Sequence, residues 1–295
     1  MATTTQSVSL AAAPAAAQVK RRSRPFRSAI SLLLMIALTL FWLIPMFGAL
    51  YTSIRTQGDI TANGFWSLPR EIAFDNFKAA WDMGRVGTYL GNSFIITIPS
   101  LIGTLFLSSL AAFALARYKF RGNLLLYFMF VAGTMLPFQI LMLPVFYLSN
   151  VLKLYNQYSA LILIHTAFQL GFCTFVLRNF MRTVPTEILE AARIDGAGEF
   201  RLYWQIMMPL SLSALAALGT LEFTWIFNDY LWAIVLLSDA AKKPATAGLA
   251  TLRGQYITNW PIVVAGALLA TLPTVLVFTF LQRYFIQGLT LGSGK

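Results

Sequence analysis

The sequence predicts an all-α integral membrane protein with six transmembrane helices. Three observations predict it. Of 295 residues, 58% are hydrophobic and only 11% charged, where a soluble domain carries about 25% charged residues. The apolar residues fall into long blocks, and ~20 such residues make a helix across the ~30 Å hydrocarbon core. Basic residues gather in the short gaps between blocks, as charges that set membrane orientation do.

The elements follow in chain order. Residues 1–27 are rich in Ala, Thr and Ser and end in Lys20, Arg21, Arg22, Arg24 and Arg27, a composition expected to stay disordered. The apolar run Ser28–Leu50 is too long for the core of a signal peptide and is followed by further spans, so it reads as a retained first helix. With the extracytoplasmic segment after it, it makes up residues 28–88. The other blocks are Tyr89–Ala116, Leu124–Leu148, Ser159–Leu177, Pro209–Leu231 and Ile262–Phe285, and they form a core over 89–287. Pro137 and Pro144 interrupt the third block and Pro273 the sixth; membrane helices tolerate proline because neighbours satisfy the freed carbonyls. Residues 288–295 form a C-terminal tail.

With the N-terminus in the cytoplasm, the inside segments hold fourteen basic residues and the outside segments eight. The bias places both termini inside. Trp66, Trp232 and Trp260 then fall near the outer interface and Tyr118, Tyr127 and Tyr284 near the inner one, as an aromatic belt requires. A net charge of +11 would suggest a nucleic-acid partner in a soluble protein, but its distribution over loops argues against one. Cys173 is the only cysteine, so an intrachain disulfide, a redox pair and zinc-finger spacing are excluded; it reads as a small packed hydrophobe.

One loop is more than a connector. Arg178–Pro209 reads RNFMRTVPTEILEAARIDGAGEFRLYWQIMMP. Pro185 can open a helix where its missing N–H costs nothing, and Glu187 favours the positive end of that helix. Glu190, Ala191, Ala192 and Arg193 continue it. Asp195-Gly196 stops it, since Gly196 can take the left-handed conformation that ends many helices. A second short helix, about Gly198–Met207, leads into the fifth span. Ala191 and Ala192 keep one face flat enough for another protein to approach; the same pattern equally suits an amphipathic helix lying on the membrane surface.

The spacing Glu190-Ala191-Ala192, Gly196, Ile206 and Pro209 resembles the EAA loop, the signature of permease subunits in binding-protein-dependent ABC importers. Met208 stands where the family pattern has Leu, and Gly198 where many members carry Ser. Asn92-Ser93, Asn228-Asp229-Tyr230-Leu231-Trp232 and Gln282-Arg283-Tyr284 running to Gly288-Leu289-Thr290 are similar to the maltose-type sugar permeases, as is the stretch from Trp66 to Phe77. The likeness covers roughly residues 28–295 and is to the six-span (MalG-like) partner subunit. It implies a MetI-like ABC permease fold in a bacterial inner membrane. It also implies a heterodimer with a second permease subunit, two cytoplasmic ATPase subunits that use the ATP, an extracytoplasmic solute-binding protein, and a sugar substrate. The chain itself would bind no cofactor and catalyse nothing. On this resemblance Glu190, Ala191, Ala192, Asp195, Gly196, Ile206 and Pro209 belong to a coupling helix that docks in a groove of the ATPase. Glu190 would meet a basic residue there, with an intrahelical pair to Arg193 as the alternative, and Gly196 would permit the bend.

Polar groups within spans are costly and usually face the bundle interior. Gln139, His165, Gln169, Glu222, Asn228 and Asp229 are therefore candidates for the translocation path, with interhelical hydrogen bonding as the competing role. Gly292-Ser293-Gly294-Lys295 mimics the end of a phosphate-binding loop but lacks the first glycine, the following Ser/Thr and the helix. The rival functions are an ABC permease for a non-sugar solute and an ion-coupled secondary transporter; the latter should carry inverted repeats, and none is evident.

Overall fold

The computed structural model describes residues 25–250 and 258–291, with side chains for 29–250 and 258–283. The N-terminal tail as far as Arg24, the segment 251–257 and the last four residues lie outside the described residues, and the expectations placed on them lie there too. The chain divides into two compact units, Met1–Gly48 and Ala49–Lys295. The first contains most of α1 (Pro25–Ser53), a helix whose stretch Ala29–Ser53 is long and apolar enough to cross a membrane.

In the second unit, two short helices come first, α2 (Gln57–Asn63) and α3 (Asp75–Asp82). Arg55 organises this segment and is fully buried. Its guanidinium bonds Asp59 at 2.8 Å, the carbonyl of Phe65 at 2.7 Å and the Ser67 hydroxyl at 2.8 Å, and it lies over the Tyr51 ring. A buried cation needs this saturation of its donors.

The membrane-length helices are α1, α4 (Val86–Arg117), α7 (Tyr158–Thr183) and α14 (Trp260–Leu291). α7 runs about two turns beyond the apolar block because Arg178 and Met181 are buried. α14 continues through Gly288–Leu291. The third expected span is a bent pair, α5 (Asn123–Met135) and α6 (Phe138–Val151), that turn by 98° at Leu136–Pro137. The cause is local: a residue before proline is driven out of the helical region, and Leu136 sits at ψ 126°. Pro144, by contrast, lies inside α6 without a break. The fifth expected span is also a bent pair and turns by 71° at Ser211. Counting each pair as one span gives six.

α4 packs most extensively on α7, and α11 (Leu212–Phe227) packs on α4 and α14. α4 and α7 run in parallel. Tyr158 donates to Asn92 at their start, Gly103 meets Thr166 in the middle, and Arg117 reaches the carbonyls of Met181 and Val184 at their end. α11 runs antiparallel to both, with Phe227 against Phe94 near one end and Tyr203, just before it, bonded to Ser109 near the other. Close approach relies on small residues: a Cβ at Gly171 would lie 2.5 Å from the Phe130 carbonyl oxygen. Of the three tryptophans expected near the outer interface, Trp232 packs inside the chain. It is buried against Phe138 and Phe168, while Trp66 and Trp260 are exposed.

Candidate functional site

The loop after α7 opens with α8 (Thr186–Ile194), capped by Pro185. Its end is a Schellman turn. Gly196 sits at φ 82°, its N–H bonds the Arg193 carbonyl at 3.0 Å, and the Ala197 N–H bonds that of Ala192 at 2.9 Å. Space is open around Gly196, so the left-handed backbone alone calls for glycine there. Asp195 is the C-cap and is exposed.

α8 is followed by one turn, α9 (Glu199–Arg201), then a π-helical turn Leu202–Met207 and α10 (Met208–Leu210). The sequence suggested an ordinary helix to Met207. The widened turn has a reason: Pro209 has no N–H to give, and its ring would clash with the carbonyl four residues back in an α-helix. π turns of this kind recur at functional sites.

The loop is built into the helix bundle. Leu189, Leu202, Tyr203 and Met207 are buried in one cluster with Ala112 and Phe113 of α4, Cys173, Leu177 and Met181 of α7, and Ala214 and Leu218 of α11. Ala192 and Ile206 pack partly against the same cluster. Ala191 faces out, so the two alanines do not share a face. Tyr203 bonds Ser109 at 2.7 Å and Tyr118 donates to Glu199. Burial pushes the Tyr118 hydroxyl up to about 12, so it stays protonated and keeps this bond. Arg193 pairs with Glu199 at 3.2 Å rather than with Glu190. Glu190 is exposed, and no described side chain pairs with it.

Two exposed side chains were not singled out from the sequence. Ile194 is 87% exposed and Phe200 79%, on either side of the Gly196 turn. The available signal was a large apolar residue on each side of a glycine turn in an otherwise polar loop, the pattern of an uncovered contact.

The polar residues of the spans lie apart from this loop. His165 Nε2 is 3.7 Å from Asp229 Oδ2, the one polar contact among the described residues that brings two of them together. Asp229 also accepts from the backbone of Trp232 and Ala233, and so caps α12 (Leu231–Leu236). Glu222 is fully buried in α11; the Cys173 thiol donates to one carboxyl oxygen at 3.2 Å and the other has no partner. Asn228 bonds the Thr224 carbonyl and reaches Thr274 on α14 at 3.4 Å. Gln139 is exposed just after the α5–α6 bend and Gln169 is half-buried. No described hydrogen bond joins either to the others.

The end of the bundle opposite the loop is closed by polar contacts. Asn92 donates to the carbonyls of Ala241 and Lys243 at 2.8 and 2.9 Å, and Ser93 accepts from the Ala245 N–H at 2.9 Å. Asn156 accepts from the backbone of Ser238 and Asp239. α13 (Ala245–Leu249) is thereby held so close to α4 that a Cβ at Gly248 would lie 2.3 Å from the Tyr89 ring.

The family model for the binding-protein-dependent transport system inner membrane component matches residues 104–291, which include the whole loop and its core. The chain belongs to that family. It is 34% identical, over 94% of its length and 100% of the relative's, to an arabinooligosaccharides transport system permease protein of Halalkalibacterium halodurans. To a melibiose/raffinose/stachyose import permease protein of Bacillus subtilis it is 34% identical over 85% of this chain and 91% of the relative. Among solved structures, a bacterial ABC transporter involved in the import of the acidic polysaccharide alginate aligns with TM-score 0.79 at 23% identity, covering 89% of this chain and 98% of that one. That likeness shows the fold.

Proposed function

We propose that this chain is one half of the translocation pathway of an ATP-driven sugar importer and that Arg178–Pro209 couples it to a separate ATPase. The observation that carries the reading is that α8 and the π turn share one buried core with α4, α7 and α11, while Glu190, Ile194 and Phe200 stay uncovered. A push on the exposed tips is thus transmitted to three spans through packed side chains, with no flexible connector between. Glu190, freed from Arg193, is available to a basic residue of the ATPase. The names of the two permease relatives support a mono- or oligosaccharide as substrate.

In this reading a second permease subunit completes the pathway and two ATPase subunits bind below. ATP is used there and no cofactor is held by this chain. A solute-binding protein delivers the sugar to the outer face, to which Arg55–Arg85 and the described residues on either side of 251–257 in the Lys242–Pro261 loop would belong. The excess of basic residues in one set of loops supports a reading with both termini in the cytoplasm of a bacterial inner membrane. Of the six polar residues of the spans, Asp229 and Asn228 would serve packing first, because they already bond helix backbone and a neighbouring helix.

The test is reconstituted uptake of a labelled sugar panel with binding protein and ATPase present. ATP-dependent uptake that falls at least tenfold with Glu190→Lys, with the subunits no longer copurifying, is the expected result. Uptake that survives ATP depletion but collapses with the ion gradient would show a secondary transporter. ATP-driven uptake confined to non-sugar solutes would keep the coupling and overturn the substrate.

A further inference from the structure

A cleft of about 850 Å³ opens where α4 and α7 end and α5 begins. Lys119, Arg121, Arg178 and Arg182 line it, and no Asp or Glu does. Because two membrane-length helices stop at this level and the next begins there, the cleft sits at a bilayer interface, outside the hydrocarbon.

Arg178 is built into the cleft. It is 7% exposed, its guanidinium lies 3.9 Å over the Tyr127 ring, and its Nε donates to the Leu115 carbonyl at 3.3 Å. No described acceptor takes its two terminal nitrogens, and no carboxylate pairs with it. Lys119, Arg121 and Arg182 likewise have no partner among the described residues. A buried guanidinium without a counter-charge is costly, so a site that holds one in place and opens it to a cleft with three further cations is arranged for an anion. Opposing them are the ends of α4 and α7, each equivalent to about half a negative charge, and Arg117 already donates to the carbonyls of Met181 and Val184. Glu199, which touches the rim through Tyr118, is paired with Arg193. The balance at the cleft is positive.

The walls say which anion. Phe120, Leu124 and Leu125 line the same cleft and are 41%, 58% and 66% exposed. Cations beside exposed apolar side chains at an interface suit a molecule with a charged head and hydrocarbon tails.

We infer that this cleft is a binding site for the headgroup of an anionic phospholipid, whose phosphate meets Arg178, Arg182, Lys119 and Arg121 and whose acyl chains lie along Phe120, Leu124 and Leu125. Bound lipid bridges the α4–α5 turn to the last two turns of α7, which open the Arg178–Pro209 segment and lead into α8. The inference stands apart from the identity of the transported solute.

Native mass spectrometry of the full-length chain assembled with its partner subunits tests it, after extraction from nanodiscs of phosphatidylcholine with and without phosphatidylglycerol. Phosphatidylglycerol should be retained over phosphatidylcholine by more than tenfold. Each cation near a membrane surface contributes about fivefold in affinity, so the exposed-residue variant K119Q/R121Q/R182Q should lose that preference, while K119R/R121K/R182K keeps it. Arg178 is left intact because it packs on Tyr127. Equal retention of the two lipids by the wild type, which needs no variant to fold, overturns the inference. So does a glutamine variant that keeps the preference, or full displacement of phosphatidylglycerol by millimolar inorganic phosphate, which would mark a free-phosphate site.

Discussion

The two ends of the second unit are held in different ways. At the loop end, α8 and the π turn are fastened chiefly by apolar side chains in a common core, with side-chain bonds such as Tyr203 to Ser109 beside them, and the large side chains Ile194 and Phe200 are uncovered. At the opposite end, chain segments far apart in sequence are fastened by hydrogen bonds to backbone from Asn92, Ser93 and Asn156, and glycine contact is tight. Apolar packing is non-directional, whereas bonds to specific carbonyls fix one arrangement. The difference sets an end that leaves two large apolar side chains uncovered beside a shared core against an end whose segments are bonded to specific backbone groups.

Substitutions can break this comparison. The largest effect is expected for Gly248→Ala, whose new methyl meets the Tyr89 ring at 2.3 Å. Overpacking of this kind costs about 1–3 kcal/mol or more and should lower the melting temperature of the purified chain and its yield. Asn92→Ala comes next: two carbonyls lose their donor and Tyr158 its acceptor, a loss of about 1–3 kcal/mol. Amide hydrogen exchange should quicken at residues 237–248 and stay unchanged at 186–207. Gly196→Val forces a branched residue to φ 82° at about 1–2 kcal/mol. Coupled uptake should fall more than thermal stability does. Phe200→Ser removes an exposed ring and should leave stability within about 0.5 kcal/mol, while copurification of the ATPase drops. A Phe200→Ser chain that melts early but still binds ATPase would refute the division of labour.

The smallest expected effect is on pH. The Arg55 guanidinium beside Asp59 holds its carboxyl below the usual carboxylate range. A depressed pKa gives stability that is fully present above the unfolded value and is lost as pH falls through the folded one. The 55–67 segment should therefore resist protease at neutral pH and loosen only in acid below the ordinary Asp range. Asp59→Asn should abolish that dependence.

Much of this was legible in sequence where the signal is local. Apolar blocks gave the spans, and Asp195-Gly196 gave the end of α8, because a left-handed residue after a helix calls for glycine. The bend at Leu136–Pro137 was not legible. Proline occurs in straight and broken membrane helices alike, and Pro137 breaks the chain where Pro144 and Pro273 do not. The π turn was missed because its cause, Pro209, follows it. The closure of the far end depends on pairs up to 152 residues apart, and nothing in the run Asn92-Ser93 says which carbonyl it will meet. In the candidate site, the EAA pattern located the loop. It did not show that Ala191 and Ala192 part company, or that Arg193 chooses Glu199, since both depend on how the loop folds back on α4.

The bend between α5 and α6 has one more consequence. The last carbonyls of α5 have no helical donors after them, since Leu136 is extended and Pro137 lacks an N–H. Residues 132–137 are all exposed in this chain. Bare peptide oxygens are not tolerated against lipid tails. A corner of this kind in a bilayer calls for water or a neighbouring protein to satisfy those carbonyls.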